Sequence, residues 1–336
     1  MKKSILKMFA VMLVFGVLLY GCSAGASSSS GASVKNDSGT ADASDWPKKN
    51  IQIIVPFAAG GDTDFNARTY AQFLSEELGT NVVVVNTTGN GGVTGTRKVM
   101  ESANDGYTIL FNTSALLMNM VSGAADYGLD DFEIANIAGL RAGDIITVRG
   151  DLGIKTMDDL MAYSKNHPGE MRLAITTGAH NHATALYLLR EGLDATLLDA
   201  GGTSERMAAL LGGHLEIIMN PVGGISDYLE TGELVAIANP IAKRPANIPD
   251  IPTCLEEGYN VSNDGYYLWA FPKGTDQAII DKFNAAVEKI CMTNPEYQEL
   301  IKSTYKQEPF YAGQQEAKEL LETQYEEMST LKSYFE

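Results

Sequence analysis

The chain has 336 residues, of which 45% are hydrophobic, and a formal net charge of −17. Such an acidic chain lacks the basic face that nucleic-acid binding requires, so we expect no nucleic-acid partner. The same charge argues against adhesion to anionic lipid headgroups and leaves a covalent anchor as the route to a membrane. The length exceeds that of the commonest single domain and predicts two lobes.

The N-terminus has the pattern of a secretory signal. Lys2, Lys3 and Lys7 precede an apolar run from residue 8 to residue 20, which is shorter than the ~20 residues needed to span a bilayer. The run ends in Leu19-Tyr20-Gly21-Cys22, which resembles the lipobox of bacterial lipoproteins. The resemblance implies a signal peptide over residues 1–21, an acylated Cys22, and an extracytoplasmic protein anchored to the bacterial membrane by that lipid. The alternative is an ordinary signal peptide followed by an incidental cysteine.

A segment of mostly Ser, Gly, Ala and Asp follows the signal. It has almost no bulky side chains to bury, and it therefore predicts a flexible linker over residues 22–45. Removing the signal, which carries three Lys and no acidic residue, takes the net charge from −17 to −20. An exported location permits a disulfide between Cys254 and Cys291. Their spacing does not require one, so pairing and separate thiols both remain open.

Strand-like and helical patterns alternate along residues 46–336. Strands are predicted over residues 51–57, 82–85, 107–112, 171–176, 196–200, 215–220 and 234–239. Apolar residues at helical spacing occur at 67–78, 207–211, 279–290, 297–301 and 317–331. Strands that alternate with helices predict an α/β fold with parallel or mixed sheets flanked by helices.

Two extended segments, residues 144–149 and 266–271, are candidates for the places where the chain crosses between lobes. They predict a first lobe of residues 46–148 and 265–336 and a second lobe of residues 149–264. Three aromatic residues at the second crossing, Tyr266, Tyr267 and Trp269, either wall a cleft or belong to the core.

Four strand-to-helix junctions are rich in glycine and small hydroxyl side chains. They are Ala58-Ala59-Gly60-Gly61-Asp62-Thr63, Gly89-Asn90-Gly91-Gly92-Val93-Thr94-Gly95, Thr176-Thr177-Gly178-Ala179-His180 and Ala200-Gly201-Gly202-Thr203-Ser204. Each places unpaired backbone N–H groups at the start of a helix, where the helix dipole favours an anion. Ligands of open α/β sheets bind beyond the carboxyl ends of the strands, so four such junctions predict one anion-binding cleft. With Arg206 the nearest cation, backbone amides, hydroxyls and water are expected to hold a carboxylate.

Other chemistry has no support in the sequence. Residues 89–94 miss the dinucleotide-binding pattern, because Thr94 stands where a glycine is needed. The Walker A, His-Glu-x-x-His and Gly-x-Ser-x-Gly patterns do not occur. His180 and His182 could share a metal ion, but no third ligand is nearby and polar loop residues are the simpler interpretation. We expect no metal, no cofactor and no enzymatic activity.

The order of these segments resembles that of the tripartite tricarboxylate transporter substrate-binding receptors, also called Bug-type receptors. The matching segments are Trp46–Pro47 with residues 53–68, residues 86–95, Asp105–Thr108, Gly178–His182, Leu210–Gly213, Pro249–Thr253 and Glu257–Gly258. They extend over nearly the whole body of the chain in the order of the family.

The resemblance implies a bilobed periplasmic-binding-protein fold of type II, a Venus flytrap that closes on a di- or tricarboxylate, an amino acid or an aromatic acid. It also implies delivery to the subunits of a membrane permease. A receptor read by a sensor kinase and an enzyme on the same scaffold are the alternatives. The junctions and the family motifs together predict these ligand-binding residues: Phe57, Ala59, Gly60, Gly61, Thr63, Asp64, Gly91, Gly92, Thr113, Ser114, Thr177, Gly178, Ala179, His182, Asp199, Gly201 and Gly202.

The chain departs from the family pattern at two places. Thr87-Thr88 stand where the family has Arg-Pro, and Asp199-Ala200 stand where it has Tyr-Lys. A negative charge at Asp199 would disfavour a fully anionic ligand nearby and favour one with an ammonium group. Alternatively, Asp199 caps the following helix turn or points to solvent.

Overall fold

The computed structural model describes residues 45–335. The predicted signal peptide, Cys22 and nearly all of the predicted linker lie outside the described residues. Within the described part, no helix is both long and apolar enough to cross a bilayer. Cys254 and Cys291 are both buried free thiols. Of the two alternatives, the structure therefore has separate thiols and no disulfide between these residues.

Residues 45–335 form eleven strands. They are β1 (Ile51–Val55), β2 (Val82–Asn86), β3 (Thr108–Thr113), β4 (Phe132–Leu140), β5 (Asp144–Arg149), β6 (Arg172–Ile175), β7 (Thr196–Asp199), β8 (Ile217–Pro221), β9 (Leu234–Ala238), β10 (Tyr266–Pro272) and β11 (Tyr311–Ala312). The seven strands predicted by apolar runs are all present.

The same residues form ten α-helices. They are α1 (Asp62–Leu78), α2 (Val93–Met100), α3 (Ala115–Val121), α4 (Met157–Asn166), α5 (His180–Arg190), α6 (Thr203–Leu211), α7 (Ser226–Thr231), α8 (Gln277–Thr293), α9 (Pro295–Tyr305) and α10 (Gln314–Ser329).

The strands form two mixed sheets. The first has six strands in the order β11-β4-β10-β3-β1-β2, and the second has five in the order β7-β6-β8-β5-β9. In the first sheet β1 runs parallel to β2 and β3, whereas β10 is antiparallel to both β3 and β4. In the second, β6 is parallel to β7 and β8, whereas β5 is antiparallel to β8 and β9. The four predicted junctions follow the parallel strands β1, β2, β6 and β7.

Helices cover both faces of the first sheet, as the alternation of its side chains shows. Ile53 packs in a cluster with Phe73 of α1 and Phe283 of α8, whereas its neighbour Ile54 packs with Leu116 of α3 and Leu321 of α10. Successive strand residues point to opposite faces, so a strand between two helical layers has apolar residues on both faces. β1 is accordingly apolar except at Gln52, which is exposed near its start.

Helix α1 shows how glycine fixes the ends of an element. Its apolar face buries Ala67, Ala71 and Leu74, at the spacing that predicted it. Gly79 ends the helix in the left-handed conformation, with φ +64°, which glycine adopts without the steric cost of a side chain.

The two predicted crossing segments are strands of the sheets. β5 pairs with β8 and β9 along its length, and β10 lies between β3 and β4. The chain therefore passes between the sheets just before each of them, at residues 141–143 and within 239–265. We accordingly move the first proposed lobe boundary from after residue 148 to residues 141–143 and keep the second before β10.

Candidate functional site

A cavity of about 420 Å³ lies where loops of the two sheets meet, within the size range of small-molecule sites. Its walls come from the junctions after β1 and β2, from the end of β3, and from the junctions after β6 and β7. These junctions follow the carboxyl ends of parallel strands, where ligands of α/β sheets bind. All four glycine-rich junctions contribute to the walls.

The structure brings ten of the predicted ligand-binding residues into the cavity wall. They are Phe57, Ala59, Gly61, Thr63, Gly91, Gly92, Thr113, Ala179, Gly201 and Gly202. Seven others, Gly60, Asp64, Ser114, Thr177, Gly178, His182 and Asp199, are not in the wall. Most of these seven hold the wall in place instead.

Asp64 shapes the loop before α1. Its Oδ2 accepts hydrogen bonds from Gly60 N–H (2.9 Å) and Arg68 Nε (3.0 Å), and its Oδ1 accepts one from Asn86 Nδ2 (2.9 Å). Burial alone would raise the pKa of Asp64, but these donors outweigh burial and lower it. Asp64 therefore acts as a charged clamp on the loop, with both oxygens occupied.

The two glycines of this loop have different roles. Gly60 has φ +86°, a conformation that other residues rarely adopt. Gly61 has φ −87°, and a β-carbon there would meet only the Ala58 carbonyl oxygen, at 3.9 Å. Gly61 therefore does not need to be glycine for its backbone angles, and it lines the cavity.

Asp199 connects the two junctions of the second sheet. Its Oδ2 accepts from Thr177 N–H (3.2 Å) and its Oδ1 from Gly201 N–H (3.1 Å). Burial opposes ionisation, but these contacts lower the pKa of its carboxyl. Asp199 is exposed and holds the two loops together through their amides, but it does not cap α6, which begins after Gly202 without a side-chain hydrogen bond.

Two more predicted residues also fix loops. Ser114 Oγ accepts a hydrogen bond from Tyr266 N–H (3.1 Å). His182 Nδ1 accepts one from Gly178 N–H (3.2 Å), and its ring meets Phe335 edge to face at 5.4 Å. His182 thereby fixes the loop before α5 without lining the cavity itself.

His180, two residues before His182, lines the cavity. Residues at helix positions i and i+2 point in different directions, so the two rings cannot share a site. No cluster of three or more His, Cys, Asp or Glu side chains able to hold a metal occurs between residues 45 and 335.

The loops of the two sheets touch at Gly91 and Gly178, which have φ +60° and +77°. A β-carbon on Gly91 would lie 2.3 Å from the Thr177 carbonyl oxygen, and one on Gly178 would lie 2.6 Å from Asn119 Oδ1. Asn119 Nδ2 donates to the Gly91 carbonyl (3.2 Å). Only glycine permits this approach, and Gly91 also lines the cavity.

The cavity wall also contains a charged cluster that the sequence patterns did not predict. Arg141 Nη2 lies between Asp144 Oδ1 (2.7 Å) and Asp62 Oδ2 (3.0 Å). All three side chains are at most 10% exposed. Tyr267 Oη donates to Asp62 Oδ2 (2.6 Å), and Gln307 Nε2 donates to Tyr267 Oη (3.0 Å). Tyr267 is thus a core residue, as one of the two interpretations expected, whose hydroxyl orients a carboxylate of the wall.

Burial and the neighbouring charges have opposite effects on the pKa values of this cluster. Burial raises the pKa of Asp144, a rise that the charge of Asp62 reinforces and those of Arg141 and Arg206 oppose. Burial alone would lower the pKa of Arg141, but Asp144 and Asp62 raise it. Arg141 thus remains a cation.

Arg206 is buried against the second sheet and lines the cavity. It donates from Nη1 to Thr176 Oγ1 (2.8 Å) and the Gly201 carbonyl (2.9 Å), and from Nε to Asn220 Oδ1 (3.0 Å). Burial lowers the pKa of its guanidinium. Its donors serve the loops, so it is not a free cation for a ligand.

Residues 66–333 match the family model described as "Tripartite tricarboxylate transporter family receptor". A Cupriavidus necator protein, "UPF0065 protein in gbd 5'region", is 31% identical over 286 residues, which cover 82% of this chain and 84% of that protein. Protein BugT of Bordetella pertussis is 32% identical over 252 residues, which cover 73% and 77%.

Solved structures have the same fold. The periplasmic binding protein BugD is 26% identical, with a TM-score of 0.79 and coverage of 86% of this chain and 98% of BugD. MatC from Rhodopseudomonas palustris, with bound malate, is 22% identical (TM-score 0.76; coverage 85% and 100%). Another R. palustris protein, with adipate, is 23% identical (TM-score 0.78; coverage 86% and 99%).

Two sheets flanked by helices, with a cavity at their junction loops, define a bilobed periplasmic binding protein. The chain belongs to the tripartite tricarboxylate transporter receptor family. The predicted family and fold class are confirmed; the family is described as a receptor family and BugD as a periplasmic binding protein.

Proposed function

We propose that the protein is an extracytoplasmic receptor, and not an enzyme, that captures a small organic carboxylate in the cavity and delivers it to a tripartite tricarboxylate-type permease. One observation carries the proposal. Helices α1, α5 and α6 all begin at the cavity wall, and none has a side-chain cap at its N-terminus. Unpaired N–H groups and helix dipoles then favour a bound anion, most of all at α5, whose first turn has no acidic residue.

Relatives with the same fold support the choice of ligand class. The R. palustris neighbours hold malate and adipate, both of which are small carboxylates. A cavity of about 420 Å³ accommodates molecules of that size. We therefore propose a small carboxylate as the ligand of this chain, without choosing either malate or adipate.

A thermal-shift screen of carboxylates and amino acids tests the proposal. A ligand that binds only the folded protein raises its stability by about 2.7 kcal/mol at a concentration 100 times Kd. We expect at least one carboxylate to raise the melting temperature. A screen in which non-carboxylates alone do so would contradict the proposal.

Gly61→Val is expected to weaken that carboxylate at least tenfold and to leave the unfolding free energy nearly unchanged. The new side chain meets no protein atom closer than 3.9 Å at its β-carbon, so it takes space from the ligand at the start of α1. Titration calorimetry measures the affinity. Gly313→Val is the matched control, because Gly313 also precedes a helix, with φ −66°, and has open space around it. Equal affinities for the two variants would place the ligand away from α1.

We further propose that acylated Cys22 holds the receptor at the membrane. Cys22→Ser is expected to release the protein from the membrane fraction, because one hydroxyl cannot replace a lipid anchor. Fractionation followed by immunoblotting measures the distribution. Persistence of the variant in the membrane fraction would contradict the lipoprotein proposal.

A further inference from the structure

The three helix N-termini at the cavity differ in what already faces them. The first turn of α1 carries Asp62 and Asp64. The first turn of α6 carries Glu205, whose Oε2 would lie 2.8 Å from a β-carbon on Gly202. The first turn of α5 has no acidic residue. Carboxylates of the protein already compensate the positive ends of α1 and α6, and α5 alone of the three is open to an external anion.

A buried side chain with unused donors stands at the open helix. Asn181 is 3% exposed and lines the cavity. Its Oδ1 accepts a hydrogen bond from Thr176 N–H (3.2 Å), which fixes the orientation of the amide since only oxygen can accept there. Its Nδ2 has no partner. A buried amide nitrogen without an acceptor is costly, and a ligand carboxylate at the start of α5 would remove that cost.

A second buried atom at the cavity, Nδ1 of His180, lacks a hydrogen-bond donor. His180 is 4% exposed, and its Nε2 lies 3.0 Å from the carbonyl oxygen of Asn263. A carbonyl only accepts, so Nε2 carries the proton. Burial and the charge of Arg141 lower the pKa of His180 to about 3, so the ring is neutral. Its Nδ1 is then a lone-pair acceptor, buried without a partner.

The charges of the wall point the same way. Arg141 and Arg206 are opposed by Asp62, Asp144 and Glu205, so the wall has one negative charge in excess. Arg141 is held by Asp62 and Asp144, and Arg206 by loop oxygens. Of the guanidinium atoms in the wall, Arg141 Nε is buried without a partner, whereas to a cation the wall offers a net negative charge and one imidazole lone pair.

We infer that the ligand is a carboxylate whose carbon skeleton also bears an ammonium group. The carboxylate lies at the first turn of α5, on Asn181, and the ammonium group lies toward Asp62, Asp144 and His180. This inference rests on the proposed receptor function and narrows its ligand class to amino acids. The sequence analysis connected an ammonium group of the ligand with Asp199, but Asp199 binds loop amides. We now assign the ammonium group to the acidic residues of the cavity wall.

Calorimetry with two matched series tests the inference. Succinate, malate and aspartate share a skeleton and differ in bearing hydrogen, hydroxyl or ammonium at one carbon, as do propionate, lactate and alanine. We expect the ammonium member of at least one series to bind tenfold or more tightly than its hydrogen analogue, as a hydrogen bond between charged groups permits. Carboxylates that bind without this order would overturn the inference and leave the receptor proposal standing. Failure of every carboxylate in both the series and the screen would overturn both.

Two nearly isosteric variants test which residues bind the carboxylate and which bind the ammonium group of the ligand. Asn181→Asp keeps the acceptor for Thr176 N–H but replaces the free donors with negative charge, and it should weaken all members of a series at least tenfold. Asp144→Asn should reduce the ratio of the ammonium to the hydrogen member at least fivefold. General damage to the fold lowers both affinities and leaves the ratio unchanged. An unchanged ratio in Asp144→Asn would therefore overturn the assigned role of Asp144, and the wild-type series tests the ligand class even if a variant fails to fold.

Discussion

Gly91→Ala is expected to lower the affinity for the ligand at least tenfold by preventing the two loops from meeting. The new β-carbon would lie 2.3 Å from the Thr177 carbonyl oxygen and 3.2 Å from Asn119 Oδ1. The Thr177 oxygen belongs to the backbone of the second lobe and cannot rotate away, so the lobes must stay apart, whereas Asn119 lies in the same lobe as Gly91. A ligand that contacts both lobes binds the closed arrangement best, and destabilising that arrangement reduces its apparent affinity.

Gly123→Ala is the matched control for this variant. Gly123 has φ +71°, close to the +60° of Gly91, but a β-carbon there meets no atom within 4 Å. Both variants place alanine in the left-handed region, at a cost of about 1–2 kcal/mol, and only Gly91→Ala also obstructs the contact. Calorimetry measures affinity, and X-ray scattering at saturating ligand should show a larger radius of gyration for Gly91→Ala alone. Identical affinities and radii would show that the loop contact has no part in closure.

Arg141→Met is expected to cost about 3–5 kcal/mol of unfolding free energy, the usual effect of leaving a buried charge without its partner. Methionine fills part of the volume but leaves Asp62 and Asp144 facing each other without a cation. Urea denaturation measures the loss. Arg97→Met is the control, since the Arg97–Asp126 pair is 38% and 63% exposed, and exposed pairs contribute about 0–1 kcal/mol. Similar losses in both variants would mean that Arg141 does not hold the acidic pair.

The pH dependence of the Arg141→Met deficit has a definite sign. Burial and Asp62 raise the pKa of Asp144 in the folded protein, while Arg141 opposes the rise, so the variant should raise that pKa further. A carboxyl whose folded-state pKa exceeds its unfolded value stabilises the fold while protonated and loses that contribution as pH rises through the folded value. The deficit should therefore be smaller at mildly acidic pH than at neutral pH.

The sequence predicted the parts of the structure that follow local rules. The spacing of Ala67, Ala71 and Leu74 gave α1, and Gly79 marked its end. The four junctions meet at one cavity because carboxyl ends of parallel strands lie at one edge of each sheet. Local patterns could not show which glycine of a pair has positive φ, since Gly60 and Gly61 are equally permissive residues and only the folded loop distinguishes them.

The charged cluster depends on contacts that no local pattern contains. Arg141 follows β4, which was not predicted because Asn136 and Gly139 interrupt its apolar run and its pairing with β10 has shifts in register. Asp62, Arg141 and Tyr267 are far apart in the chain and meet through strand pairing. A usable signal was present, however: Arg141 and Asp144 are two opposite charges beside an otherwise apolar crossing.

The position of β10 in the first sheet has a consequence for how the chain folds as it emerges. β10 separates β4 from β3, so until residues 266–272 are available both strands have an unpaired edge. The second sheet is built from one continuous stretch, β5 to β9, and can be completed earlier. Before residues 266–272 are available, only β1, β2 and β3 of the first sheet can pair, and β4 has no partner because β10 and β11 both follow it by more than 100 residues; such non-local pairing is slow to form. A delay of this kind keeps a chain unfolded for longer, which agrees with the secretory signal predicted for its N-terminus.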